Sequence, residues 1–111
     1  MIRRPDVTFV RRERLDPDYL REGFLTIVPD LVVEVLSAHD TAYEVREKTE
    51  EYLGAGVRLV WNVDPEGQIV EIHRPDGTVT KLRASDEITG EGVLPGFRCK
   101  VEAFFPTPDK R

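Results

Sequence analysis

Apolar and polar positions divide this chain into several short strands and one longer helix. Val and Leu fill most of 31–36, and a continuous apolar run of this length is typical of a strand buried on both faces. Similar apolar patterns predict further strands over 7–10, 57–63, 68–74 and 78–82. A last strand or a helical turn is expected over 98–105. Asp76-Gly77 predicts a hairpin turn, and Leu94-Pro95-Gly96-Phe97 predicts another turn.

The clearest helix begins after Thr41. Thr41 and Glu44 have the spacing of a capping box, and the helix is expected to run to about Leu53 before Gly54 or Gly56 ends it. The element order β-β-α-β-β-β predicts an α+β fold, a mixed sheet with one main helix. At 111 residues the chain fits one domain over 1–105, followed by a flexible tail at 106–111.

Composition narrows the function classes only slightly. The net charge of −5 argues mildly against a protein that coats nucleic acid, although a local basic groove remains compatible with it. No apolar run approaches the roughly 20 residues that span a bilayer, and the N-terminus lacks the apolar stretch of a signal peptide. Cys99 is the only cysteine and therefore forms no internal disulfide. We expect a cytoplasmic protein with no membrane contact.

One acid interrupts the apolar strand. Glu34 stands among Val and Leu residues, and an ionised carboxylate there costs several kcal/mol unless a cation or hydrogen-bond donors meet it. Lys48 lies on the inward stripe of the predicted helix, so it is a cation aimed towards the sheet. Asp30 shares a strand face with Glu34 but lies roughly 13 Å away along the strand. Asp6, at the start of the preceding strand, is the better candidate for a second acid.

Two interpretations of this pattern stay open at the level of residues. In the first, Glu34 and Lys48 form a buried ion pair that takes part in no reaction, or the Lys48 side chain only extends past its apolar neighbours. Alternatively, the carboxylates hold a hard divalent cation and the lysine orients or activates water near a scissile phosphate.

A set of short motifs resembles the Uma-type family of restriction endonucleases. They are Pro5-Asp6, the run from Pro29 to Ser37, and Lys48 with Tyr52. The resemblance extends through most of the chain by Gly56-Val57, Trp61 with Val63-Asp64-Pro65, and Leu94-Pro95-Gly96-Phe97. It implies the PD-(D/E)xK nuclease superfamily, with a restriction-endonuclease-like mixed sheet, a Mg²⁺ (or Mn²⁺) site and DNA as the substrate.

The resemblance also implies roles for individual residues. Asp6 takes the place of the superfamily's first Asp and Glu34 that of its strand Glu, both as metal ligands. The superfamily's lysine normally stands two residues after the Glu, where this chain has Leu36. Lys48 is similar to a migrated substitute that reaches the same pocket from the helix. Asp30 is expected to be a residue of the strand start rather than a supporting acid.

One departure from the family opens a second function. Family members usually carry several dozen residues before the Pro-Asp strand, whereas this chain begins almost at Pro5-Asp6, which implies a truncated core. We therefore expect either a metal-dependent DNA endonuclease or a catalytically inactive nuclease-like domain that acts as an oligomeric interaction module. An apolar sheet edge left exposed favours a homo-oligomer, most simply a homodimer.

Overall fold

The computed structural model describes residues 5–14 and 27–105. These residues form seven strands, one α-helix and two short 3₁₀ turns, Arg12–Arg14 and Val101–Phe104. The strands and the helix are β1 (Val7–Phe9), β2 (Leu31–Val35), α1 (Ala42–Gly54), β3 (Leu59–Asp64), β4 (Ile69–His73), β5 (Val79–Arg83), β6 (Glu87–Gly90) and β7 (Leu94–Lys100).

Five strands form one mixed sheet in the order β1-β2-β3-β4-β5, and β6 pairs only with β7. The chain crosses from β2 to β3 through α1, so these two strands are parallel, while the other pairs in the sheet are antiparallel. A mixed sheet with one main helix confirms the predicted α+β fold.

Each face of the sheet has its own core. The smaller core lies under α1 and joins Val32 and Val60 of the sheet to Tyr52 and Val57. The larger core lies on the opposite face, where the β6–β7 hairpin and the second 3₁₀ turn cover the sheet. Its most deeply buried members are Leu31, Leu59, Trp61, Val70, Ile72, Ile88 and Val101. The apolar pattern of β2 is explained by this arrangement, because successive side chains enter different cores.

The start of α1 follows the predicted capping box. The Thr41 hydroxyl accepts from the Glu44 backbone N–H at 3.1 Å, and the Glu44 carboxylate accepts from the Thr41 N–H at 3.1 Å. The helix includes Gly54 and is followed by Gly56 at φ +108°, a backbone conformation that favours glycine. The helix that carries Lys48 is therefore fixed at both ends by local sequence.

Two predicted boundaries near the C-terminus are wrong. The polar stretch before Leu94 contains strand β6, and Leu94-Pro95-Gly96-Phe97 lies inside strand β7 rather than at a turn. The chain reverses instead at 91–93, where Glu91 has φ +53°. A register shift at Thr89/Gly90 interrupts the alternation of side chains, which removes the pattern that identifies a strand.

Some predictions fall outside the described residues. These are the flexible tail at 106–111 and most of the loop predicted for 11–23, of which only the 3₁₀ turn Arg12–Arg14 is described.

In the ranges 5–14 and 27–105, no helix combines the length and the apolar character needed to cross a membrane.

Candidate functional site

Glu34 lies in the middle of β2 on the face covered by α1, and it is only 6% exposed. Its Oε1 accepts a hydrogen bond from the Tyr52 hydroxyl at 2.7 Å and lies 3.8 Å from the Lys48 Nζ. Its Oε2 accepts from the Asp6 backbone N–H at 3.4 Å. The predicted cost of burying this carboxylate is thus offset by one cation and two donors, which come from α1 and from the residue before β1.

Asp6 lies at the bend just before β1, beside Glu34. The antiparallel register aligns Val7 with Val33, which brings the residue before β1 next to the residue that follows Val33. The Asp6 Oδ2 accepts from the Val35 backbone N–H at 2.7 Å. Asp6 is exposed, so its carboxylate lies at the solvent side of the buried Glu34. The structure therefore brings together the two acids that the sequence singled out.

Lys48 reaches the same place from α1. Its side chain is 37% exposed, and its distance of 3.8 Å from Glu34 is longer than the 2.7–2.9 Å of a charge-assisted hydrogen bond. The ammonium group is thus held near Glu34 by charge, while its protons stay available to other acceptors. Asp6 and Lys48 therefore both lie beside Glu34, and the three residues form one cluster.

Asp30 belongs to a different arrangement. It is 2% exposed, and its Oδ2 accepts from the Arg11 backbone N–H at 2.8 Å. Its Oδ1 forms an ion pair with the Arg14 guanidinium at 2.6 Å. Both carboxylate oxygens are occupied at the start of β2, in agreement with the expected structural role.

Three polar residues near Glu34 have roles that the sequence did not reveal. Tyr52 donates to Glu34, and Asn62 lies beside Glu34 in the parallel register with its Nδ2 donating to the Thr49 hydroxyl at 3.1 Å. Tyr52 lies one helical turn after Lys48, so both side chains project from the same face of the helix. This spacing is the sequence signal that the two side chains contact the same residue. Asn62 is the only polar residue within the apolar run 59–63, the same signal that identified Glu34.

A groove of about 740 Å³ lies on the helix-side face; Thr49 and Asn62 line it, whereas Asp6, Glu34 and Lys48 do not. Carboxylates outnumber cations along it, and the charged residues are Asp40, Arg46, Glu50, Asp64, Glu66, Glu71 and Lys81. Hydrogen bonds from the Ser37 backbone N–H and hydroxyl, aided by the nearby charge of Lys48, lower the pKa of Asp40 despite the opposing effect of desolvation. Asp40 is therefore ionised at neutral pH.

The described residues contain no group of three or more His, Cys, Asp or Glu side chains arranged to hold a metal ion. Two carboxylates, Asp6 and Glu34, are the oxygen donors that the cluster offers. Mg²⁺ is commonly bound by one or two carboxylates with water and substrate phosphate as the other ligands.

A solved structure with a related fold is that of a "putative nuclease belonging to DUF820" from Anabaena variabilis. The two chains share 21% identity with a TM-score of 0.61, and the alignment covers 68% of this chain. It covers 43% of the other chain, so this chain corresponds to less than half of that nuclease's length. At this identity the likeness concerns the fold. No curated protein matches the sequence.

The family comparison covers nearly the whole chain. Residues 2–102 match the model of the Uma2 family, described as "Putative restriction endonuclease". The matched range includes Asp6, Glu34 and Lys48, together with all seven strands and α1. The resemblance carried by the sequence motifs is thus confirmed, and this chain belongs to the Uma2 family.

Proposed function

We propose that this chain is a metal-dependent DNA endonuclease that hydrolyses phosphodiester bonds, with Asp6 and Glu34 as metal ligands and Lys48 as the catalytic cation. The observation that supports it is the convergence on Glu34: the backbone N–H of Asp6 donates to one carboxylate oxygen, and the ammonium group of Lys48 lies near the other. Membership of a family described as restriction endonucleases supports the same reaction class.

The donor set fits a hard divalent cation. Asp6 and Glu34 offer carboxylate oxygens, and among the described residues the hydrogen bond to Glu34 Oε2 is a long one, 3.4 Å from the Asp6 backbone N–H. Asp6 and Glu34 would hold such a cation, while the ammonium group of Lys48 lies near the other Glu34 oxygen, Oε1. When bound, Mg²⁺ or Mn²⁺ would polarise the phosphate and lower the pKa of a bound water.

The chain's own residues supply the positioning. The hydroxyl of Tyr52 fixes the Glu34 carboxylate from the helix side at 2.7 Å. The ammonium of Lys48 is held nearby with protons to spare, so it can orient an attacking water or stabilise charge that develops on the phosphate. These contacts assign Glu34 a fixed position and Lys48 an adjustable one.

Charge along the groove sets a condition on substrate binding. Five carboxylates face two cations there, so a polyanion meets repulsion unless divalent cations screen it. DNA binding is therefore proposed to depend on the same cations as cleavage. Lys81, one of those two cations, and Arg83 on β5 are the basic side chains proposed to contact phosphate.

Cleavage of supercoiled plasmid DNA tests the proposal. We expect nicking and linearisation with Mg²⁺ or Mn²⁺, none with EDTA, and a loss of about 10²–10³-fold in rate for Glu34→Gln, a typical cost of removing one group that stabilises a transition state. Glu87→Gln is the matched control, because Glu87 is an exposed acid on β6, paired only loosely with Arg98 at 3.5 Å.

The result has a clear opposite. No cleavage by the wild type with either metal, while circular dichroism shows a folded protein, would overturn the endonuclease proposal. Equal rates for wild type and Glu34→Gln would overturn the site even if cleavage occurs.

A second candidate function is a non-catalytic module that pairs with another copy of this chain. The observation that favours it is an apolar patch at the β1 edge of the sheet, where Val7, Phe9 and Val35 are 44%, 40% and 48% exposed. An edge strand offers unpaired backbone groups, and two identical edges are complementary under two-fold symmetry. The proposed partner is therefore a second copy that extends the sheet.

Analytical ultracentrifugation tests this pairing. We expect a concentration-dependent homodimer for the wild type, and a monomer for Phe9→Lys, because a charge on the apolar edge opposes association. Val79→Lys is the control, since Val79 is 53% exposed on β5, at the opposite edge. A wild-type monomer at every concentration would contradict the proposed dimer.

A further inference from the structure

Asn62 is the polar residue whose burial the proposed mechanism does not use. It is 3% exposed, it lies beside Glu34 in the register of β2 and β3, and its Nδ2 donates to the Thr49 hydroxyl at 3.1 Å. The single hydroxyl proton of Thr49 is directed to the Val45 carbonyl at 2.9 Å. The Thr49 oxygen must therefore accept from Asn62, which fixes the orientation of the amide.

The oxygen of the Asn62 amide has no such contact among the described residues. Asn62 Oδ1 is buried and has no hydrogen-bond partner within 5–14 and 27–105. Reversing the amide would only leave the Nδ2 in the same position without a partner, so one polar atom lacks a partner in either orientation. A buried acceptor without a partner costs free energy. An apolar side chain at position 62, like those of Val60, Trp61 and Val63 in the same strand, would avoid that cost.

A small cavity of about 10 Å³ lies beside this amide. Glu34, Lys48 and Asn62 line it together with residues of β2, of α1 and of the loop between them, including the acids Asp40 and Glu44. Its volume is close to that of one water molecule measured in the same way, and polar groups on three sides meet the requirement for binding one. Oδ1 is therefore the atom of Asn62 that can still accept a hydrogen bond in this cavity.

We infer that one internal water binds between Asn62, Glu34 and Lys48, and that Asn62 acts through it as a positioning residue for Lys48. The water donates to Asn62 Oδ1 and to the Glu34 carboxylate, and it accepts from Lys48 Nζ. Three hydrogen bonds are typical of buried waters. The direct Lys48–Glu34 separation of 3.8 Å exceeds the usual hydrogen-bond length, which leaves ammonium protons for this water.

This inference deepens the proposed function, because Lys48 is the cation on which that function rests. Its test nevertheless needs no cleavage. We expect the unfolding effects of Asn62→Leu and Lys48→Met to be non-additive by about threefold in the unfolding equilibrium constant, a coupling typical of residues that share one network. In the control cycle, Asn62→Leu and Lys100→Met should add, because Lys100 Nζ donates to the Ser85 carbonyl at 3.2 Å, elsewhere in the fold.

Nuclear magnetic resonance gives a second readout, and its water signal is measured on the wild type alone. We expect a nuclear Overhauser effect between a long-lived water and the Asn62 side-chain amide protons. The Lys48 ammonium protons should exchange slowly, and faster in Asn62→Leu, a change that a purely structural Asn62–Thr49 contact would not cause.

Additive cycles, or no long-lived water at Asn62, would overturn the inference. Coupling together with the water signal would support it, even if plasmid cleavage fails. That combination would reject the endonuclease and keep the network, so the two proposals fail separately.

Discussion

Replacing Lys48 by methionine is expected to slow metal-dependent DNA cleavage by about 10²-fold while the domain stays folded. The reason is that Lys48 contributes little to the stability of the fold but much to the proposed reaction. As an ion pair, Lys48 is 37% exposed and 3.8 Å from Glu34, so its loss should change the free energy of unfolding by only about 0–1 kcal/mol. As a catalytic cation it would act on charge that develops during the reaction, where a single group is worth far more.

The comparison therefore separates the two interpretations of the Glu34–Lys48 pair. Urea unfolding and initial cleavage rates of Lys48→Met are measured beside Lys100→Met, which removes a cation of equal charge from β7. A small stability change with a large loss of rate supports catalysis. Equal rates for both variants, at equal stability, would reduce Lys48 to a structural partner of Glu34.

Local signals explain why the main elements could be predicted from sequence. The capping box of α1 is formed by residues three positions apart, so no distant part of the chain decides it. Glu34 and Lys48 were found because each is a single charge in an otherwise apolar stripe. The pattern gave no distance between them, and it did not show that Tyr52 donates to the same carboxylate oxygen.

Features that depend on register could not be predicted in the same way. Asn62 lies beside Glu34 only because β2 and β3 are parallel in one particular alignment, which the sequence of neither strand specifies. The β6–β7 hairpin was missed because its irregular pairing at Gly90 breaks the alternation from which strands are recognised. Site residues supplied by neighbouring strands and a bulged hairpin thus required the three-dimensional structure.

The largest expected effect on stability comes from Trp61. Trp61→Ala should lower the free energy of unfolding by about 3–5 kcal/mol, because a large buried ring is removed from the centre of the bigger core. The indole is 3% exposed and packs against the rings of Phe97 and Phe104 at centroid distances of 5.9 and 6.0 Å. Thermal unfolding should show the loss at about 4–8 °C per kcal/mol for a domain of this size.

Two controls resolve what the ring contributes. Trp61→Phe should cost less than about 1.5 kcal/mol, because it keeps most of the aromatic area and removes an indole N–H that has no partner among the described residues. Phe97→Ala should also cost less than Trp61→Ala, since Phe97 is 37% exposed at the rim of the same cluster. Equal losses for Trp61→Phe and Trp61→Ala would contradict the view that a packed aromatic ring at position 61 supplies the stability.

The position of Trp61 also predicts how its loss reaches the candidate site. Successive residues of β3 point to opposite faces, so Trp61 packs beneath the hairpin while Asn62 faces Glu34. Trp61→Ala should therefore reduce cleavage in proportion to the fraction of unfolded molecules, and the rate per folded molecule should stay near that of the wild type well below the melting temperature. A fall in that rate at full folding would mean that the hairpin-side core sets the position of Glu34 through the shared sheet.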